Sequence, residues 1–257
     1  GILSGEAIWD KFIERQNTES IPYPTCLNGL NEKLKGMRQG EITLFTSGTG
    51  SGKSTVIKEI VWHLLRTTDD EKVGLISLEE SVGDTAEKFI GMPINKRVGG
   101  DIPITDKELR DGFEAVFSDE RLILLDHQGS VDDSSLIDKI EYMALMGCKY
   151  LFLDHITIAV SEGSEGLSGN EAVDKVMSDL LKVVKKHNVW LGIVSHLRKS
   201  CGGAFEEGNM ASIDDIKGSG SIKQISFDII AFSRNLVAVN ESDRNQIKFS
   251  VLKSRYT

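Results

Sequence analysis

The sequence predicts an α/β fold with a mainly parallel central sheet and helices on both faces. From residue 41 onward, short apolar runs alternate with stretches of helical periodicity, which is typical of βαβ units. Several runs are apolar at successive positions, as strands buried on both faces are. The first run leads into a glycine-rich stretch that opens a helical segment. The length of 257 residues fits one globular domain, or one domain plus an arm.

The chain begins with a predicted amphipathic helix over residues 5–17. Its apolar residues recur at helical spacing on one face: Ile8, Trp9, Phe12 and Ile13. This face must be buried, either on its own domain or on a neighbouring subunit. We therefore divide the chain into a linker helix and arm, residues 1–24, and a larger domain, residues 25–257.

Strands and helices alternate through the larger domain. Strands are predicted at 41–46, 73–78, 121–126, 150–154, 189–195, 228–233 and 247–252. Helices are predicted at about 53–67, 80–91, 105–118, 132–147 and 169–188. Polar loops at 161–170 and 198–210 interrupt the pattern.

A phosphate-binding loop follows the first strand of this domain. It comprises Ser47, Gly48, Thr49, Gly50, Ser51, Gly52, Lys53, Ser54 and Thr55. The strand, glycine-rich loop, Gly-Lys-Ser and helix occur in the Walker A order. Backbone N–H groups and the helix N-terminus would bind the phosphates, Lys53 would reach the β- and γ-phosphates, and Ser54 would hold Mg²⁺. Ser47 stands where the pattern usually has its first glycine.

Carboxylates end two other apolar strands. Asp154 follows Tyr-Leu-Phe-Leu and is expected to orient the Mg²⁺ water shell at the carboxyl edge of the sheet. Its alternative role is to cap the next segment. Glu79 is the first acid after Leu-Ile-Ser-Leu and could activate water for attack on the γ-phosphate. Alternatively, Glu79 and Glu80 merely precede a helix that begins at Ser81.

Basic and polar residues follow the later strands. His196 ends the strand near 190 and could contact the γ-phosphate, and Arg198 and Lys199 open the loop behind it. In the next basic stretch, exposed protein N–H groups beside basic side chains could bind a phosphodiester backbone without reading bases. This stretch includes Lys217, Gly218, Ser219, Gly220 and Lys223. An ordinary turn with solvated lysines is the alternative. From spacing alone, Lys253 and Arg255 are predicted to form a solvated basic tail.

Bulk composition limits the function classes. The three cysteines are odd in number and far apart, which argues against a disulfide framework and a structural zinc. No apolar run approaches the roughly 18–20 residues that span a bilayer, so no membrane association is expected. A reducing, cytoplasmic setting follows. The net charge of −9 weakly disfavours nucleic-acid binding, although a few basic loops could still line a pore.

The ordered motifs closely resemble the helicase half of the short-tailed coliphage replicative primase–helicases. More distantly, the chain resembles DnaB-type replicative helicases and mitochondrial Twinkle. The motifs that carry the resemblance are SGTGSGKST, ISLEESVGDTAE, LFLDHITI, IVSHLRK, DIKGSGSIKQISFDIIAFSRN and VLKSRYT. The resemblance implies a RecA-like P-loop NTPase core that assembles as a homo-hexameric ring, binds ATP or dTTP with Mg²⁺ between subunits, and moves 5′ to 3′ on single-stranded DNA.

The resemblance also implies roles for individual residues. Glu79 would be the catalytic base, His196 the phosphate sensor, and Arg255 a finger acting in trans with Lys253 beside it. Arg234 would pack near the nucleotide base. The implied DNA-binding residues are Arg198, Lys199, Lys217, Gly218, Ser219, Gly220 and Lys223. The linker helix would pack on the adjacent subunit.

The resemblance leaves the setting of the domain open. A replicative polymerase and a primase are possible partners in the cytoplasm of the bacterial host. The sequence contains no primase motif ahead of the helicase motifs and starts with Gly, so we expect an excerpt of a longer sequence. The alternatives are a RecA-like DNA-dependent ATPase or recombinase that binds single strands without unwinding, and a non-enzymatic P-loop assembly protein.

Overall fold

A computed structural model of the protein describes residues 1–48, 52–127, 135–156, 169–196, 220–234, 239–240, 242 and 246–254. Its helices are α1 (Glu6–Gln16), α2 (Asn28–Leu34), α3 (Lys53–Thr67), α4 (Val82–Ile94), α5 (Asp106–Phe117), α6 (Leu136–Leu145), α7 (Gly169–His187) and α8 (Gly220–Ile225). Its strands are β1 (Ser20–Ile21), β2 (Met37–Arg38), β3 (Ile42–Ser47), β4 (Lys72–Ser77), β5 (Leu122–Leu124), β6 (Cys148–Asp154), β7 (Trp190–His196), β8 (Asp228–Arg234) and β9 (Ile247–Ser254).

Seven of these strands form one sheet in the order β5-β4-β6-β7-β3-β8-β9. Neighbouring strands are parallel, except that β9 runs antiparallel to β8. The predicted mainly parallel sheet is therefore confirmed. The order places β7 between β3 and β6, so that four strands which end in candidate site residues lie side by side.

Helices cover both faces of the sheet, as predicted. On one face, α3 buries Ile57, Ile60 and Leu64 in a cluster that includes Trp190 of β7. On the other face, α7 buries Met177, Leu180 and Val184 against side chains of the same sheet. Every residue of β3 is buried, which explains why its sequence lacks an alternating pattern. Each large apolar side chain so buried contributes roughly 1.5–3 kcal/mol to folding.

Helix ends follow capping side chains more closely than apolar periodicity. The α3 helix covers the predicted range. The α4 helix, predicted at 80–91, begins only at Val82, because the Ser81 hydroxyl accepts a hydrogen bond from the Asp84 N–H. It then continues through Pro93 to Ile94. A proline near a helix end removes an N–H donor without forcing the chain to turn there.

Within the described part of the chain, the apolar face of α1 does not pack on its own domain. Its large side chains remain between about a third and over half exposed: Ile8 55%, Trp9 56%, Phe12 47% and Ile13 37%. The helix is instead attached at its end, where Arg15 forms a 2.9 Å ion pair with the buried carboxylate of Glu41. The Arg15 guanidinium also lies 5.9 Å from the ring centroid of Phe227. The arm is thus fixed at its base and open along its apolar face.

The segment after α1 packs on the sheet domain. β1 pairs with β2 in a two-stranded antiparallel sheet, and Tyr23 is fully buried. The His63 imidazole of α3 contacts the Pro22 carbonyl oxygen at 2.6 Å. Residues 20–23 therefore belong to the packed body, although they fall inside the predicted 1–24 segment. None of the helices in the described ranges is long and apolar enough to cross a membrane.

Candidate active site

The candidate site lies at the carboxyl ends of β3, β4, β6 and β7. Register places Ser47 of β3 opposite His196 of β7, and Ser77 of β4 opposite Asp154 of β6. Ligands of open α/β sheets bind at this edge. Four segments that are distant in sequence therefore end at one place, as the motif order predicts.

Lys53 begins α3 directly after Gly52, which has a left-handed backbone with φ of 86°. The Lys53 side chain is buried at the first turn. Burial lowers the pKa of its ammonium group, and the charges of Asp154 and Glu79 oppose that shift. A cation at a helix N-terminus, beside free backbone N–H groups, is suited to bind phosphate. Thr49, Gly50 and Ser51 lie outside the described residues.

Ser54 connects the phosphate loop to the end of β6. Its hydroxyl donates a 3.0 Å hydrogen bond to the Asp154 carboxylate. Burial raises the pKa of Asp154, and the Ser54 hydrogen bond opposes the shift. The desolvated carboxylate is therefore one that a cation would stabilise.

The Ser54 and Asp154 oxygens fit a magnesium ion. Mg²⁺ prefers hard oxygen ligands in an octahedron at about 2.0–2.1 Å, which places adjacent ligand oxygens about 2.9 Å apart. The observed separation is 3.0 Å. No group of three or more His, Cys, Asp or Glu side chains that could hold a metal occurs in the described part of the chain. A Mg²⁺ ion that also binds phosphates and water needs few protein ligands.

The structure separates the roles of Glu79 and Glu80. Glu80 forms a 2.9 Å ion pair with the buried Lys58 of α3, pairs with Lys88 of α4, and accepts a 3.1 Å hydrogen bond from Thr85. Burial by itself raises the pKa of Glu80, but the hydrogen bonds from Lys88 and Lys58 outweigh it and lower the pKa to about 2. Glu80 therefore serves as a structural link between α3 and α4.

Glu79 points to the other side of the strand end. Its side chain is 62% exposed and contacts the imidazole of His155, with 2.9 Å between His155 Nε2 and Glu79 Oε1. Its charge acts on both Lys53 and Asp154. An exposed carboxylate near Lys53 can reach a water molecule, as the predicted role of a base requires.

The sequence did not predict a role for His155, nor that Glu80 links α3 to α4. His155 stands directly after Asp154 in the quoted motif LFLDHITI, and Glu80 stands directly after Glu79. The sequence does not show which of the two acids, Glu79 or Glu80, faces the helices, because both follow the end of β4. A polar residue beside a strand-end carboxylate was the available signal for His155.

The first turn of α3 also borders a cleft. Thr55 lines a cleft of about 590 Å³ between α3 and α4, together with Lys58, Lys88 and Arg97. Thr55 is thus placed on the α4 side of the helix, whereas Ser54 is placed toward Asp154.

The predicted basic residues are described in part. Gly220 and Lys223 lie in α8, and the Lys253 ammonium donates to the carbonyl oxygens of Lys223 at 2.6 Å and Gln224 at 3.3 Å. The end of β9 is thereby attached to the carboxyl end of α8. Only the backbone is described for two strand-end residues, His196 and Arg234. Predicted residues outside the described ranges are Arg198, Lys199, Lys217, Gly218, Ser219 and Arg255.

Comparison with known proteins gives a family and a fold. Residues 23–257 match the family described as the DnaB-like helicase C terminal domain. The DNA helicase/primase of Enterobacteria phage T3 is 32% identical over 270 residues, which cover 100% of this chain and 46% of that protein. The chain therefore spans less than half the length of this relative.

Two solved structures share the fold. The ATPase domain of G40P matches with a TM-score of 0.70 at 15% identity, over 97% of this chain and 90% of that one. A DnaB-like replicative helicase, described with its interactions with primase, matches with a TM-score of 0.70 at 16% identity, over 99% and 64%. At these identities the likeness concerns the fold alone, and it confirms the predicted architecture.

Proposed function

Because the chain belongs to the family of DnaB-like helicase C-terminal domains, we propose that it is the motor of a replicative DNA helicase. It hydrolyses ATP or dTTP with Mg²⁺, moves 5′ to 3′ along single-stranded DNA, and separates the duplex ahead of it. The carrying observation is the contact between Ser54 and Asp154, which brings the phosphate loop and the end of β6 within 3.0 Å beside Lys53.

The proposed hydrolysis assigns one task to each side chain. Lys53 and the backbone N–H groups at the start of α3 bind the β- and γ-phosphates. Ser54 and Asp154 hold the magnesium ion, which when bound neutralises charge on the phosphate oxygens. Glu79 orients the attacking water and accepts its proton. His196, at the end of β7 between β3 and β6, reports the γ-phosphate.

The proposed assembly is a homo-hexameric ring with nucleotide at the subunit interfaces. The support is the exposed apolar face of α1, which finds no partner surface on its own domain among the described residues. Half-exposed Trp9 and Phe12 are typical anchors of an interface. Arg255 of one subunit would then reach the nucleotide of the next, and Lys253, two residues before it in sequence, donates a hydrogen bond to the Lys223 carbonyl oxygen of α8.

The proposed DNA contacts come from the loop after β7 and the segment before α8. They include Arg198 and Lys199, then Lys217 to Gly220, and Lys223. Contacts of basic side chains and backbone N–H groups with phosphates carry no sequence information, so we expect no sequence-specific binding. A replicative polymerase and a primase are the proposed protein partners, and the bacterial host's cytoplasm is the proposed place of action.

The test is NTP hydrolysis by the purified chain with and without a single-stranded oligonucleotide, together with its mass by light scattering and an unwinding assay. We expect strong stimulation by DNA, a ring-sized mass, and unwinding of a forked duplex. Stimulated hydrolysis without unwinding would instead indicate a RecA-like DNA-dependent ATPase. A monomer whose hydrolysis ignores DNA would contradict the motor assignment for this chain.

A further inference from the structure

We propose that His155 is a positioning residue for hydrolysis, whose Nε2–H holds the Glu79 carboxylate beside the phosphate site. The inference rests on the proposed function, because it gives His155 a role only if Glu79 is the base. The His155–Glu79 contact is the one on which the assignment depends, at 2.9 Å between Nε2 and Oε1.

The two partners differ in exposure. His155 is 4% exposed and follows Asp154 directly at the end of β6, so its ring is fixed by packing. Glu79 is 62% exposed and follows β4, so its side chain has few contacts that restrict it. A fixed donor that binds one oxygen of a mobile carboxylate reduces the number of conformations that the carboxylate samples.

The backbone on both sides of Glu79 is restrained by other contacts. The N–H of Leu78 donates a 2.9 Å hydrogen bond to the Asp154 carbonyl oxygen. The next residue, Glu80, pairs with Lys58 and Lys88 on α3 and α4. The main chain before and after Glu79 is thus held, and the remaining freedom lies in its side chain. The hydrogen bond from His155 restricts the conformations of that side chain.

The chemistry of the contact defines the donor. An ionised carboxylate only accepts hydrogen bonds, so Nε2 carries the proton that is shared with Glu79. The bond occupies one carboxylate oxygen and leaves the other oxygen for water. A glutamine at position 155 could supply an N–H in a similar place, whereas a phenylalanine would fill the space without a donor.

The test compares steady-state kinetics of DNA-stimulated hydrolysis for His155→Phe and His155→Gln. We expect kcat to fall on the order of tenfold to a hundredfold in His155→Phe, with little change in the nucleotide KM, because nucleotide binding does not use Glu79. His155→Gln should recover most of the lost kcat. If His155→Phe fails to fold, His155→Asn replaces it, since the shorter amide cannot reach Glu79.

A matched control uses another His–Glu contact within the described residues. His187 contacts Glu141 at the same 2.9 Å, between α7 and α6. His187→Phe should leave kcat unchanged, because this pair contacts none of the residues assigned to nucleotide. Comparable loss of kcat in both variants would show that His155 acts only through stability.

A double-variant cycle separates failure of the inference from failure of the proposed function. In a Glu79→Gln background, His155→Phe should cause no further loss, since both changes remove the same water-activating arrangement. Full activity of Glu79→Gln alone would refute the base assignment and hence the proposed mechanism. An inactive Glu79→Gln with a fully active, folded His155→Phe would overturn only the role of His155, as would a folded His155→Gln without recovery.

Discussion

Ser54 and Asp154 lie 100 positions apart in sequence, yet the Ser54 hydroxyl donates a 3.0 Å hydrogen bond to the Asp154 carboxylate. The contact joins the first turn of α3, which follows β3, to the end of β6. In the sheet, β7 lies between β3 and β6. Two oxygens from separate motifs are thereby already placed at the spacing of adjacent Mg²⁺ ligands.

Ser54→Ala should raise the Mg²⁺ concentration needed for half-maximal hydrolysis by about tenfold or more, because one oxygen ligand is lost. The measurement is a Mg²⁺ titration of the hydrolysis rate at saturating nucleotide. Ser118→Ala is the control, since the Ser118 hydroxyl binds only a backbone carbonyl at the end of α5. Equal Mg²⁺ dependence in the wild type and Ser54→Ala would contradict the ligand assignment.

Lys53→Ala should reduce hydrolysis by about a hundredfold or more, because it removes the cation that binds the transferred phosphate. Turnover is measured with DNA present. Lys182→Ala, which removes a 75% exposed ammonium from α7, should hydrolyse at the wild-type rate. Normal turnover in Lys53→Ala would exclude the phosphate-loop assignment.

Glu80→Gln should lower the free energy of unfolding at pH 7 by roughly 2 kcal/mol, because it breaks charged hydrogen bonds between α3 and α4. The pKa of Glu80 lies at about 2, below its ordinary value of 4.5. Its contribution is therefore complete above pH 4.5 and is lost as the pH falls toward about 2. Urea unfolding at a fixed protein concentration should show the two proteins converging over that window.

The exposed pair of Arg110 and Glu114 supplies the comparison for Glu80. Its side chains are 68% and 52% exposed. Glu114→Gln should change the free energy of unfolding by less than about 1 kcal/mol, since exposed ion pairs contribute little. A difference between Glu80→Gln and wild type that persists undiminished to pH 2 would disprove the ionic explanation.

Replacing Trp9 and Phe12 together by alanine should reduce the mass in solution from a ring to smaller species. These side chains are half exposed in the subunit, so their removal should leave its own unfolding midpoint nearly unchanged. Light scattering and thermal unfolding measure the two effects, with the polar Asp10→Ala on the same helix as a control. An intact ring would show that the α1 face is not an assembly surface.

Mixing Arg255→Ala with Glu79→Gln subunits should restore part of the DNA-stimulated hydrolysis that each variant lacks alone. In a ring with shared sites, both defects can fall on the same interface and leave other interfaces intact. The measurement is turnover across mixing ratios after subunit exchange. Mixtures that never exceed the sum of their parts would argue against a finger acting in trans.

Local signals were enough to predict the seven strands of the main sheet and the six longer helices in order, but not the short elements α2, α8, β1 and β2. The phosphate loop fixed the start of α3 at Lys53, and continuous apolar runs located the strands of the sheet within a few residues. These features depend on neighbouring residues only. The order of strands depends on contacts between distant segments, which is why the position of β7 between β3 and β6 needed the structure.

The different roles of the adjacent acids Glu79 and Glu80 could not be predicted from the sequence for the same reason. Glu80 faces Lys58 and Lys88, which lie on two different helices, and Glu79 faces His155 on a different strand. Each side chain takes its role from a residue that is distant in sequence. The exposed face of α1 was likewise ambiguous, because a pattern of apolar residues does not state which chain covers them.

The Arg15–Glu41 pair connects the arm to the start of β3. Glu41 immediately precedes β3, and β3 ends at Ser47, where the phosphate loop starts. The two points are the ends of one strand, roughly 20 Å long, that is hydrogen-bonded along its length to β7 and β8. Such a strand resists stretching. In the proposed ring, a neighbouring copy that displaces the arm would therefore act, through Arg15 and Glu41, on the strand whose far end leads into the proposed phosphate loop.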